Sequence, residues 1–79
     1  MKNELQYLSR FVKERRKQAR LTQKMLASKA VVGLRFLRDL EQGKSSLKMD
    51  KVNVVLKLFG HELGPVPLNR DSLIDKEEG

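Results

Sequence analysis

Arg35, Arg38 and Asp39 stand close together in this chain, with Leu34 just before them and Lys44 shortly after. An arginine guanidinium can bond guanine O6 and N7 together, an aspartate can accept from cytosine, and an apolar side chain can meet a thymine methyl. Upstream, Thr22 and Gln23 stand where a helix should start, and free amide N–H groups at such a point favour a phosphate. This is the chemistry of binding a polyanion. Bond-making chemistry has little to stand on. The single histidine, His61, has no nucleophile at a sensible spacing. No glycine-rich phosphate loop is present. There is no cysteine, and one histidine cannot hold a metal by itself. Neither catalysis nor a cofactor, metal or small-molecule ligand is expected.

Contacts of this kind need rigid elements to aim them. Residues 4–19 place Leu5, Leu8 and Val12 on one helical face, with Phe11 on its flank. Arg10, Lys13, Glu14, Arg15, Lys17 and Gln18 take the other face. This first helix should end near Ala19 and Arg20. Thr22 is a good N-cap for a second helix, with Met25, Leu26 and Ala30 inward and Ala27 small enough for close approach. Val31 and Val32 are weak helix formers and suit a turn, with Gly33 beside them. A third helix spans 34–42 with Leu37 and Leu40 inward, closed by Gly43 in the left-handed region. Phe36 is expected to wedge between the second and third helices. A fourth runs from Met49 to Phe59 with Met49, Val52, Val55, Leu56 and Phe59 on one face, Asp50 favourable at its start and Gly60 as its stop.

After residue 60 the character changes. Leu63, Val66 and Leu68 are apolar, while Pro65 and Pro67 permit only an edge strand or an extended arm. The expected division is a helical domain over 1–60, an extended dimerisation arm over 61–68 and an acidic, disordered tail over 69–79. The fold expected is all-α, with four or five helices and a short C-terminal β-strand or arm that pairs two chains.

The formal net charge is +7, unevenly placed. Asp71, Asp75, Glu77 and Glu78 against Lys76 give the end of the chain −3, which leaves +10 on residues 1–70. A compact body with that excess attracts polyanions. No apolar run approaches the ~20 residues of a membrane span. No apolar signal core follows Lys2, so a cytoplasmic protein is expected.

Two short helices around a tight turn are the geometry that sets a recognition helix in a DNA major groove. The pattern Leu21-Thr22-Gln23, Leu26-Ala27, Ala30 and Val32, then Leu37, Leu40, Glu41 and Gly43, resembles the Xre/Cro-type helix-turn-helix family. Residues 32–44, with Asp50-Lys51-Val52 and Leu58-Phe59-Gly60-His61-Glu62-Leu63, look like its HipB-type antitoxin branch. The resemblance implies a homodimeric repressor on a palindromic operator in double-stranded DNA, autoregulating its operon. It also implies a HipA-like kinase toxin as partner and a strand that pairs across the dimer. An alternative is an interaction module whose main work is to neutralise that toxin. An RNA-binding reading lacks the stacking aromatics it would want.

By position, Leu34, Arg35, Arg38 and Asp39 are the candidates for base contacts. Arg35 leads, Asp39 could instead orient an arginine, and Leu34 could be ordinary packing. Thr22, Gln23, Gly33 and Lys44 are the candidates for phosphate contacts. Arg16 and Glu41 match family positions that form an internal ion pair, and the matching glutamine at Gln23 braces the recognition helix. The family commonly has glycine at Val31, so Gly33 is expected to take over the turn. It also favours a capping serine at Gly33, which this chain lacks.

Overall fold

A computed structural model describes residues 4–67; the side chains of Glu4 and Leu5, the whole of Leu68 and the tail over 69–79 lie outside that description. Four helices follow in order: α1 (Glu4–Gln18), α2 (Gln23–Ala30), α3 (Leu34–Gln42) and α4 (Met49–Lys57). α3 packs on both α1 and α2, and α4 packs on α2. Val12, Leu26, Leu37, Leu40 and Val55 are fully buried at the centre, with Val52, Leu56, Ala27 and Ala30 around them. The small side chains of Ala27 and Ala30 allow α2 to lie close to its neighbours. None of the four helices is long and apolar enough to cross a membrane.

Two residues expected inward are not. Met25 is 46 % and Met49 69 % exposed. Helix α2 buries a stripe of Leu26, Ala27 and Ala30, and Met25 falls at its edge. Met49 has the right periodicity but is the first residue of α4. Its Cβ points toward the helix N-terminus, past the turn that packs. Phe36 and Leu34 are half-buried against the core.

All four helices end the same way. Within three residues of each helix end one residue takes the left-handed conformation: Arg20 at φ 60°, Val31 at 56°, Gly43 at 81° and Gly60 at 73°. Its N–H donates back three residues and the next N–H donates back five. Thus Val31 N–H reaches Ser28 O at 3.2 Å and Val32 N–H reaches Ala27 O at 3.0 Å. The same pair of bonds closes α1 at Arg20 and Leu21, α3 at Gly43 and Lys44, and α4 at Gly60 and His61. This pairing satisfies carbonyls that a helix end leaves open. Leu21 and Val32, which follow the left-handed residue, turn inward and pack against the core.

The turn between α2 and α3 therefore rests on Val31 itself. Gly33 does not take over the left-handed role: its φ is −66° and ψ 147°, the extended geometry of the N-cap of α3. Open space surrounds the position its Cβ would occupy. Val31 is 88 % exposed, so its side chain returns little packing for its backbone strain. The left-handed region costs an L-residue about 1–2 kcal/mol.

Among the described residues the C-terminal strand is not found. Residues 61–67 run without strand pairing, and a strand needs a second strand that one chain does not supply here. Leu63 is also unlike a free arm. Its N–H donates to Asn53 Oδ1 at 2.7 Å, and its side chain packs half-buried on its own core. Val66 remains 66 % exposed.

Replacing Val31 by glycine should raise stability by about 1 kcal/mol, once glycine's larger unfolded entropy is set against relief of the strain. Thermal unfolding should show a midpoint about 4–8 °C higher. Gly33→Ser should change stability by only a few tenths of a kcal/mol, because serine and glycine both serve as N-caps. An unchanged midpoint for Val31→Gly would mean that the strain in this turn is no larger than the entropy cost of the glycine.

Candidate nucleic-acid interface

Helix α3 shows two faces. Leu37, Leu40 and Glu41 are buried, whereas Arg35, Arg38 and Gln42 are exposed. At 100° per residue the three exposed side chains share one outward stripe. Arg35 and Arg38 are thus placed as the spacing implied. Gln42 was missed by sequence reasoning, though its offset of two turns from Arg35 could have found it. Leu34 lies against the core, which favours packing for that residue.

Asp39 is half-buried at the side of the stripe, with Oδ1 3.9 Å from Lys44 Nζ. It forms its ion pair with Lys44, not with Arg35 or Arg38. The lysine side chain is 60 % exposed, so the pair contributes little stability.

Behind the stripe, Arg16 Nε donates to Glu41 Oε2 at 2.7 Å and Nη2 donates to Oε1 at 3.0 Å. Arg16 Nη1 donates to Leu21 O at 2.9 Å. Gln23 Nε2 donates to Glu41 Oε1 at 3.0 Å. The Glu41 carboxylate thus ties the last turn of α3 to the last turn of α1 and the first residue of α2, while Arg16 also holds the turn before α2. The side chains of Arg16 and Glu41 are 12 % and 1 % exposed. Among the described residues no buried side-chain polar atom is left without a partner.

Thr22 caps α2, its Oγ1 accepting from Met25 N–H at 3.0 Å. The hydroxyl proton stays available to donate, and Gln23 Nε2 has a second hydrogen beyond the one given to Glu41. Leu26 N–H makes the bond to Thr22 O that starts α2 and Met25 N–H is taken by the cap, which leaves the amides of Gln23 and Lys24 without a partner in the helix ladder. The N-terminus of α3 at Gly33 has no side-chain cap. The arrangement places donors at two helix starts and a cationic stripe along α3, the pattern that takes phosphates and base edges.

A short second helix, a tight turn and a third helix with an outward cationic stripe define a helix-turn-helix protein. Residues 12–63 match the helix-turn-helix family, and the chain belongs to it, in the Xre/Cro type. No curated protein and no solved structure matches the chain.

Removing one member of the buried pair strands the other. Glu41→Ala should cost about 3–5 kcal/mol, because the Arg16 charge would stay largely buried and unpaired. For a small domain that is a large share of total stability. Replacing both by apolar residues, as in Arg16→Met with Glu41→Leu, should restore most of it. Urea denaturation of the single and double variants checks this; equal losses in both would remove the penalty of stranding as the cause.

Proposed function

We propose that the protein is a sequence-specific DNA-binding repressor that acts as a homodimer on a palindromic operator. Arg35 and Arg38 read bases, joined by Gln42, while Thr22, Gln23, Gly33 and Lys44 hold phosphates. The observation that carries this reading is the outward stripe on α3, braced by the Arg16, Glu41 and Gln23 bonds. A helix positioned by buried, directional bonds can present side chains with the accuracy base readout needs. The net charge of +7 supplies the attraction that brings the duplex in.

The likeness of residues 32–44 and 58–63 to HipB-type antitoxins supports a finer reading. On it, the protein is a cytoplasmic antitoxin that represses its own operon, with a HipA-like kinase toxin as partner and no catalysis of its own.

Selection of bound sequences from random duplex DNA should return a palindrome with half-site centres one helical turn apart, ~34 Å. Equal affinity for random and selected duplexes at physiological salt would sink the proposal. Arg35→Ala should cost about 1–3 kcal/mol on the selected site and relax preference at one base pair. Lys44→Ala should weaken all duplexes alike and lower the salt slope by about one. If the two variants lose specificity in the same manner, the division between base and phosphate contacts is wrong.

A further inference from the structure

Helix α1 carries a second cationic stripe. Arg10, Lys13 and Lys17 follow one another at three and four residues, which places them within about 60° of arc. All three are exposed, and so is Arg20 just past the helix end. They stand off the face that packs, where Val12 is buried and Arg16 meets Glu41. Among the described residues the ion pairs are Arg16 with Glu41 and Lys44 with Asp39, so the stripe has no acidic partner there. Glu14 lies at its edge and pairs with none of the three. The DNA reading uses the open cations of α3 and leaves those of α1 unused.

The chain leaves the described body beside this helix. Val66 lines the same hollow as Tyr7, Leu8 and Phe11 of α1. Upstream the path is held in two places: the His61 ring stands 4.6 Å from that of Phe11, and Leu63 N–H is bonded to Asn53. Beyond Pro67 come Asp71, Asp75, Glu77 and Glu78, with a net charge of −3 over 71–79. Four residues of extended chain from Pro67 to Asp71 reach about 14 Å, and the seven from Asp71 to Glu78 span up to about 25 Å. The rise from Arg10 to Lys17 is about 10.5 Å. The acids can therefore lie along the stripe with chain to spare.

We propose that residues 71–78 dock in cis on the α1 stripe, with their carboxylates against Arg10, Lys13 and Lys17. Charge complementarity and the point where the chain leaves the body select this occupant. Exposed ion pairs are weak one by one, but the tether holds the acids at roughly millimolar effective concentration. Resting on the DNA-binding reading above, the docked segment has a regulatory role. It competes with duplex phosphates for α1, lowers sequence-independent binding there, and leaves the α3 stripe to take DNA.

A spin label reads the placement directly, since the chain has no cysteine and Gly79→Cys supplies a single attachment point. In NMR spectra of the full chain at low salt, the label should broaden the amide signals of Arg10, Lys13 and Lys17 far more than those of Arg35 and Arg38. About 0.5 M salt should remove the broadening. A sample that mixes spin-labelled copies with isotope-labelled copies lacking the nitroxide should show none. Broadening in that sample places the acids on another copy and overturns docking in cis. So does broadening centred on α3, or none anywhere. Binding to a random duplex supplies a second reading. Asp71→Asn, Asp75→Asn, Glu77→Gln and Glu78→Gln together should raise that affinity about three- to tenfold. The gain should shrink below about twofold in a chain that also carries Arg10→Gln, Lys13→Gln and Lys17→Gln. These positions are exposed, so the fold should survive, and circular dichroism checks that it does. An equal gain in both backgrounds means that the acids act through net charge alone, and it overturns the proposal. A chain that binds no duplex yet shows the α1 broadening keeps the docked segment and removes the DNA reading instead.

Discussion

The placement of α3 depends on one buried carboxylate. Apolar packing is strong but non-directional, and helices of eight and nine residues are too short to hold a fixed angle by length alone. Leu26, Ala27, Ala30, Leu37 and Leu40 bring α2 and α3 together, yet such a contact could slide or rotate by a fraction of a turn. The planar fork of Arg16 on Glu41 allows far less freedom, because both nitrogens must meet both oxygens. Gln23 joins the same carboxylate from α2, and Arg16 also holds the carbonyl of Leu21. The relative pose of three helices is thereby set by bonds with direction. Burying ionised groups costs stability, and what it gains here is the orientation of α3.

Helix ends supply the second constraint. Each helix stops through a left-handed residue and two backward hydrogen bonds, so element lengths are fixed by the backbone more than by composition. Gly43 and Gly60 fill this role without strain. Val31 fills it with strain, in the turn that sets α3 against α2. Its neighbour Val32 explains how the turn persists: the N–H of Val32 closes α2 while its side chain packs inward. The turn is held from both sides, and the strained residue between them has nowhere lower in energy to go.

This also marks where the sequence was legible. Periodicity located all four helices, and Thr22, Gly43 and Gly60 marked three of their ends because each has a side chain, or the lack of one, suited to that backbone. Val31 bears no such mark, and the expectation for the turn falls on Gly33, the nearest residue that can adopt the left-handed region freely. Periodicity also names a face without saying what stands opposite. Met25 and Met49 have apolar spacing, but no neighbour among the described residues buries them. Leu63 went the other way: beside two prolines it read as a free arm, while Asn53, ten residues earlier, holds its backbone to the body. The stripe on α3 was legible for Arg35 and Arg38, whose charge drew notice, and not for Gln42, which only the helical angle reveals.

Charge then divides the surface by use. A face of arginines and lysines attracts phosphate at long range but cannot by itself tell one sequence from another. On the homodimer reading proposed here, dimerisation and DNA binding are coupled through charge. Two copies at +7 in solution pay for their approach in electrostatic repulsion, which the phosphates of a shared operator neutralise. DNA would therefore tighten the dimer, and by reciprocity the dimer would tighten DNA binding by the same factor. No conformational change is needed for such coupling. It follows from the positive charge that the two copies share.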